Sequence, residues 1–453
     1  MLSLIVIFIS GLLSLFLAFA KKPWLVLLTA STGLVAAGIL LFCQWYHPYS
    51  LISYEGLAFD GFAISFGLIA ILFTFLIILS GYSSFKDTPQ HTGDYIALLM
   101  FSLTGALCML SFTDMFMFFL GLEILSIPIY VMAGSNKNDI KSSEAALKYF
   151  MTGAFATGVL LFGIAWMYGG TGSFKLAEIG ASIQAADTHS ALIHIGLLLI
   201  MSAFLFKVGA APFHFWSPDV YDGSPHIVTG FMAAVVKLGA IGAFLKLFST
   251  CFAGLHDFWA PALAGLAILT MFVGNLSALR QIRFKRLLAY SSITHVGYAL
   301  MTILVQSDES AFNLWAYIFS YGFSTIALIT VAIIVRDEED RIEAFRGLIR
   351  RNPFAGFTAI LGLLSLAGVP PLMGFFGKFL VFSEAISEYP WLVTIAIINS
   401  GIGIYYYLRV VILVLQKEDV DKMQPKYKVP ALQAIVLAVC AIALLFGGNM
   451  LIF

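Results

Sequence analysis

The chain has 453 residues, 60% of them hydrophobic and only 11% charged, with a mean hydropathy of +0.95. Soluble globular chains carry about 25% charged residues, so this one cannot cover a water-facing surface. Soluble enzyme, nucleic-acid binder and disulfide-rich secreted module are excluded, and a balance of 25 basic against 25 acidic residues is silent on partners. The apolar residues fall in runs of about 20, the length of a helix that crosses a bilayer. In chain order the first seven lie at roughly 2–20, 24–43, 57–81, 95–111, 114–134, 144–168 and 191–213. Seven more lie at roughly 226–249, 258–279, 287–305, 311–335, 353–384, 390–416 and 430–449. Each is longer than the ~10-residue strand of a membrane barrel. The fold expected is an all-α polytopic membrane protein of about fourteen helices.

The first run has no basic stretch before it and is followed by Lys21 and Lys22, so it reads as a retained helix and not a cleaved signal peptide. Cys43, Cys108, Cys251 and Cys440 are scattered without a CxxC pair, which argues against a cluster, a zinc site or a disulfide framework. The segment 169–190 is expected to be a loop with room for a short surface helix. Its GGTG tetrad lacks the following Lys-Ser/Thr of a phosphate loop and reads as a flexible turn.

The basic residues test the count of helices. With the N-terminus outside, one set of loops holds Lys21, Lys22, Lys86, Lys137, Lys141, Arg280, Arg283, Lys285 and Arg286. It also holds Arg336, Arg341, Arg346, Arg350, Arg351, Lys417, Lys422, Lys426 and Lys428, while the opposite loops hold Lys175 alone. That asymmetry follows the positive-inside rule and places both termini outside. Six basic residues remain within apolar runs: Lys148, Lys207, Lys237, Lys246, Lys378 and Arg409. Lys246 and Arg409 stand near helix ends, where long side chains snorkel to the headgroups, and are read as structural.

Two runs contain prolines deep inside them. The seventh reads IMSAFLFKVGAAPFHFWSP, with Pro212 after Lys207, and the twelfth reads LGLLSLAGVPPLMGFFGKFLVF, with Pro370 and Pro371 before Lys378. A proline inside a helix removes a backbone hydrogen bond, and lipid tolerates the damage only where protein or a wet cavity covers it. Breaks five helices apart divide one integral membrane domain, 1–453, into three N-terminal helices (1–94), two five-helix units (95–250 and 258–416) and a last helix (417–453). An odd number of spans per unit forces inverted topology, and paired interrupted helices mark the central site of a transporter. The symmetry is imperfect, because Lys207 and Lys378 both lie on the outer side of their breaks.

Glu123, in FFLGLEILSIPIYVMAG, sits near the middle of its run and is expected to face the bundle interior with Lys207 or Lys237 as partner. Lys237 is also close to mid-membrane, and Lys378 comes after the second break. His295 lies beside Ser291, Ser292 and Thr294, a polar patch suited to holding water. One ion pair locking two helices is a sufficient account of two charges. Three lysines, a glutamate and a histidine at middle depth are an expensive lock, since each buried charge costs about 3 kcal/mol on insertion scales. A lysine in a low-dielectric site binds its proton less tightly and a neighbouring carboxylate restores it, which is the chemistry of a proton relay.

Other residues stay open to two readings. Lys148, four residues after Glu144, forms either a helix-end pair or part of an entrance. His214, Asp219 and Asp222 after the first break line an entrance or form a plain polar loop. Asp114 sits at a tight outer turn. No HExxH or comparable cluster supports a metal site.

The segments GLEILSIPIYVMAG, FKVGAAPFHFWSPDVYDGSP, AAVVKLGAIGAF, RLLAYSSITHVGYAL and LAGVPPLMGFFGKF resemble, in order, motifs of the antiporter-like membrane subunits of respiratory complex I. The resemblance implies fourteen helices, inverted five-helix repeats and discontinuous seventh and twelfth helices. It also implies Glu123 paired with Lys207, Lys237 at the centre of a hydrated axis and Lys378 toward its exit. The form around Glu123, a lysine at position 378 and an end at Phe453 without a lateral helix are similar to the N-type subunit. A multi-subunit cation/proton antiporter or a membrane-bound hydrogenase shares most of these motifs.

The resemblance and the charge asymmetry together lead to one expectation. It is a proton-translocating subunit of an NADH–quinone oxidoreductase (a translocase) in a bacterial inner membrane, both termini periplasmic. No flavin, cluster or nucleotide motif occurs in the chain, so NADH, flavin, iron–sulfur clusters and quinone are expected in partner subunits. Those partners are the M- and L-type antiporter-like subunits and the small K-, J- and A-type subunits, within the lipid bilayer and without nucleic acid.

Overall fold

The computed structural model describes residues 1–46, 54–87, 91–185, 190–337, 339–417 and 428–452. Lys422 and Lys426, two of the loop lysines on which the expected orientation rests, lie outside the described residues. Among the described residues there are nineteen α-helices and no β-strand. The first spans are α1 (Leu2–Leu17), α2 (Pro23–Tyr46), α3 (Gly61–Asp87), α4 (Thr92–Ser111), α5 (Met115–Ala133) and α6 (Ile140–Thr171). A short α7 (Leu176–Ala185) precedes α8 (Ala191–Val208), α9 (Trp216–Gly223), α10 (His226–Phe231) and α11 (Lys237–Thr250). Three long helices come next, α12 (His256–Ala278), α13 (Phe284–Val305) and α14 (Ser310–Val335). The rest are α15 (Leu348–Arg351), α16 (Pro353–Ala367), α17 (Met373–Ala385), α18 (Pro390–Leu415) and α19 (Ala431–Ile452).

Thirteen described helical stretches are long and apolar enough to cross a membrane. The twelfth apolar run of the sequence is missing from that number because it is two helices, α16 and α17, of 15 and 13 residues. In the seventh run α8 stops at Val208 and α9 begins only at Trp216. Both interruptions start at a glycine with positive φ, Gly209 at 76° and Gly368 at 83°, and both contain a cis peptide bond before proline. Each glycine sits just past the last helical residue, where a left-handed residue lets the final carbonyls find amide donors. Ala210 N–H donates to Leu205 O at 2.8 Å, and Val369 N–H to Leu364 O at 3.0 Å.

Sequence at the helix ends explains where other spans begin. The Asp114 carboxylate accepts the Met117 amide at 2.7 Å and starts α5, so at its turn it serves as a helix cap. Asn352 does the same for α16, with Pro353 at the first helical position. The GGTG tetrad is no free turn: α6 runs through Gly169, Gly170 and Thr171 and ends at Gly172, φ +74°.

Packing sorts the helices. The stretch His226–Thr250 is buried throughout and α13 and α14 almost so, whereas the spans of α1, α2 and α6 are about one-third buried. A helix apolar all round and enclosed on all sides belongs at the centre of a bundle, and the partly bared helices belong at its lipid-facing edge. Small residues allow the tightest contacts. A Cβ on Gly105 of α4 would stand 2.2 Å from Leu125 N of α5, a position only glycine can hold.

A candidate proton relay along the buried lysines

Lys207, Lys237 and Lys378 are 4%, 7% and 6% exposed, and none has a carboxylate of the described residues within 4 Å. Their ammonium groups are held by dipoles instead. Lys207, in the last turn of α8, donates to the Ser126 hydroxyl of α5 and lies 5.9 and 5.7 Å from the ring centres of Tyr130 and Tyr149. The helix ends here because of the break, so the ammonium sits at the negative end of the α8 dipole.

The expected contact pair of Glu123 with Lys207 is not formed. Glu123 is half-buried, and its carboxylate accepts the Thr157 hydroxyl of α6 at 2.7 Å. Ser126, one turn after Glu123 on α5, is the α5 residue that meets Lys207. The physical reason is rotational: α5 aims the serine at Lys207 and the carboxylate at α6. Thr157, Tyr130, Gly153 and Lys207 line one small void beside it.

Lys237 begins α11 directly after a π-helical turn, Met232–Val236. Such turns widen a helix locally and recur at functional sites. Its ammonium donates to the Ser292 carbonyl at 2.9 Å and to the Ser292 hydroxyl. His295, one turn further along α13, is 6% exposed and set among phenols. Its Nδ1 lies 2.6 Å from the Tyr317 hydroxyl and its Nε2 3.2 Å from that of Tyr407. Tyr407 in turn shares a hydrogen bond with Ser291.

Polar groups continue toward the second break. Asn275 of α12 donates to Asn399 O at 2.7 Å and accepts from Tyr406 at 3.0 Å. Ser400, next to Asn399, accepts from Lys378 at 3.1 Å, and Lys378 also donates to Ala367 O at 3.1 Å. Ala367 is the last residue of α16, so Lys378 reaches back across the break to cap the first half of its own interrupted helix.

Lys148 stands apart from this axis. It bridges Glu144 and Asp219 at 2.6 Å each, with its side chain 41% exposed. Asp219 also meets Arg286 at 2.6 Å, and Asp222 pairs with Arg283. The acidic residues after the first break are therefore ion-paired, not an open polar loop. His214 is 8% exposed with Nδ1 unpartnered. Lys246 donates to Leu110 O at 3.1 Å and lies 3.7 Å from Asp60, while Arg409 donates to Gln281 O at 3.3 Å, as suits residues anchored near helix ends.

The family described as NADH:quinone oxidoreductase/Mrp antiporter, TM, matches residues 113–403. The chain belongs to that family. NADH-quinone oxidoreductase subunit N of Cytophaga hutchinsonii is 39% identical, the match covering 93% of this chain and 92% of that protein. A chain of respiratory complex I from Thermus thermophilus with bound aureothin superposes with a TM-score of 0.85 at 31% identity, over 99% of this chain and 98% of that one. A chain of the Mrp complex from Dietzia sp. DQ12-45-1b shares the fold, with a TM-score of 0.86 at 18% identity, over 99% and 94%.

In this antiporter-like chain, sequence reasoning named the lysines and missed what holds them. Ser126, Thr157, Tyr317, Tyr407, Asn275, Asn399 and Ser400 are uncharged and drew no attention within apolar runs. A signal existed for three: Ser126 lies one helical turn from Glu123, and the pair Asn399–Ser400 is an unbroken polar step in mid-run.

Proposed function

We propose that this chain is the N-type antiporter-like subunit of a bacterial NADH–quinone oxidoreductase and moves protons across the inner membrane along Lys207, Lys237, His295 and Lys378. The observation that carries the reading is three buried lysines bonded to hydroxyls and carbonyls, with no carboxylate of the described residues within 4 Å. An ammonium held in low dielectric by dipoles alone is sensitive to any nearby change of charge. Glu123, one helical turn from the Ser126 that meets Lys207, is the group whose movement would tip that balance. The proton then passes to Lys237, by way of the His295 phenols to Lys378, and outward. Moving one charge against 100 mV requires about 2.3 kcal/mol, within reach of one such perturbation.

Electrons pass through partner subunits, which hold the flavin, the iron–sulfur clusters and the quinone. This chain supplies the membrane path. Both termini face the periplasm, and the basic end of the bundle, with Arg280–Arg286 and Arg336–Arg351, faces the cytoplasm. Lys148 serves as a tether at that end rather than as a relay member.

The test is Lys237→Met in the assembled complex, with NADH-driven proton uptake measured in inverted vesicles. Uptake is expected to fall at least tenfold, as for removal of an acid–base group. Unchanged uptake would sink the mechanism.

A further inference from the structure

Lys207 and Lys378 each adjoin an interruption, and each ammonium lies over aromatic rings. The Lys207 Nζ stands 5.9 Å from the centre of the Tyr130 ring and 5.7 Å from that of Tyr149. The Lys378 Nζ stands 5.3 Å from the centre of the Tyr298 ring. A cation within about 6 Å of a ring centre is attracted by the negative π face, more strongly where water is excluded. The rings of Tyr130, Tyr149 and Tyr298 are 8%, 0% and 1% exposed, so solvent does not screen these contacts.

At Lys207 the rings come from two helices. Tyr130 follows Ser126 by one turn of α5, and Tyr149 belongs to α6. Their rings meet edge to face, centres 4.7 Å apart at 85°, so two walls of the ammonium site stand nearly at right angles. Trp216 stacks on Tyr149 at 4.5 Å, and its Nε1–H donates at 3.0 Å to the carbonyl of Phe206, the residue before Lys207. A Cβ on Gly153 would stand 2.2 Å from the Tyr130 hydroxyl, so α6 admits that phenol only at a glycine. The Tyr149 hydroxyl is buried with no hydrogen-bond partner among the described residues. What Tyr149 offers Lys207 is therefore its ring.

At Lys378 one ring takes this part. Tyr298 lies one turn after His295 on α13, and Phe382, one turn after Lys378 on α17, packs edge to face on it at 5.7 Å. Lys237 is held instead by the carbonyl and hydroxyl of Ser292. Ionisable groups on the surrounding helices have other partners. Glu123 meets Thr157, Lys148 meets Glu144 and Asp219, and Lys246 meets Asp60 and Leu110 O. Glu384 accepts from Ser307 and Asn313, Arg409 donates to Gln281 O, and His295 meets Tyr317 and Tyr407.

We propose that Tyr130 and Tyr149 at Lys207, and Tyr298 at Lys378, are positioning residues of the relay whose π faces take the place of a carboxylate beside each ammonium. The proposal rests on the relay reading of the buried lysines. A ring face attracts an ammonium and is indifferent to a neutral amine, so it favours the protonated lysine. It does so without placing a negative charge in the membrane, which would itself be costly there. Nor does it set a carboxylate beside the lysine to compete for the proton. The lysines at the two interruptions then hold a proton more tightly than aliphatic walls would allow. No bond or proton of the phenol takes part, so the hydroxyls of Tyr149 and Tyr298 are dispensable and their rings are not.

The experiment uses the assembled complex in inverted vesicles and reads NADH-driven proton uptake against pH, with Lys237→Met testing the relay itself. Tyr149→Phe and Tyr298→Phe keep the π face and are expected to keep uptake within about twofold, with the pH profile in place. Tyr149→Leu and Tyr298→Leu remove the face. They are expected to move the alkaline limb of uptake about one unit to lower pH, a tenfold loss of proton affinity. Pentafluorophenylalanine in place of Tyr298 keeps the ring's shape and reverses the charge of its face. It should move the profile as leucine does, and it decides the matter if the leucine variants do not assemble. Phenylalanine variants that behave like the leucine variants would put the work on the hydroxyl and overturn the inference. Leucine and pentafluorophenylalanine variants with the parental pH profile, whatever their rate, would also overturn it, by showing that the rings only pack. If Lys237→Met has no effect on uptake, the relay reading fails first.

Discussion

Ser126 carries more of the site than its chemistry advertises. Its depth makes Lys207 or Lys237 the expected partner of Glu123, and the family resemblance implies Lys207. Depth fixes position along a helix but not rotation about it. On α5 the serine meets Lys207 and the carboxylate meets Thr157. A hydrogen bond to a charged group contributes about 1.5–3 kcal/mol, so Ser126→Ala is expected to weaken the ammonium's site by that much. The measurement is NADH-driven proton uptake, which should fall about tenfold while the subunit still assembles. Thr157→Ala tests the other half of the arrangement. If the carboxylate acts on Lys207 only while Thr157 holds it in place, uptake falls; if Glu123 acts from any position, uptake is unaffected.

At the level of elements, the prolines at 212, 370 and 371 marked both interruptions in the chain itself, because a ring without an N–H cannot continue a helix. The glycines that begin each break carry as much of the geometry. At Gly368, φ is +83°, and a Cβ would stand 3.0 Å from Lys378 Cδ and 3.2 Å from its Nζ. Gly368→Ala therefore adds left-handed backbone strain of about 1–2 kcal/mol and pushes Lys378 away from Ala367. The expected outcome is a lower melting temperature of the purified complex together with reduced proton uptake, read by thermal denaturation and vesicle assay. Gly105 packs against the turn of α5 that carries Glu123 and Ser126. Gly105→Val should cost assembly, because α4 and α5 cannot approach, and should lower uptake per assembled complex by displacing that turn. Unchanged uptake per complex would show that the α4–α5 contact matters for assembly alone.

Over the whole molecule, charge is segregated. One end of the bundle is tied by ion pairs among α6, α9, α13 and the segment before α15. Isolated backbone contacts join the same segments, with Ile342 N–H donating to Ile282 O at 3.0 Å. Asp340 anchors this end, and its carboxyl is depressed from 3.8 to about 2. A depressed acid stabilises the fold above its unfolded value and loses that contribution as pH falls through the folded one. The Asp340 contribution, on the order of 2 kcal/mol, is thus present in full above about pH 4 and lost between about 4 and 2. Asp340→Asn should lower the melting temperature of the complex at neutral pH, with the difference from the parent shrinking as the pH approaches 2. A difference that stays constant across that range would assign the effect to the hydrogen bonds that an amide cannot accept and not to the charge.

The sequence by itself determined that this is a many-helix membrane protein, where most spans lie, which residues are buried cations and where two helices break. Those properties are set locally, by the free energy of moving each side chain into hydrocarbon and by proline's missing N–H. Only the tertiary structure decided what each cation touches. Ser126 for Lys207, Ser292 for Lys237, Ala367 and Ser400 for Lys378, and Asp340 for His226 are partners from distant chain positions or across a break. Such pairings depend on the rotation of packed helices about their axes, which hydropathy does not encode. Uncharged hydroxyls leave almost no mark on a hydrophobic sequence, yet in low dielectric they are strong enough to hold its few buried charges.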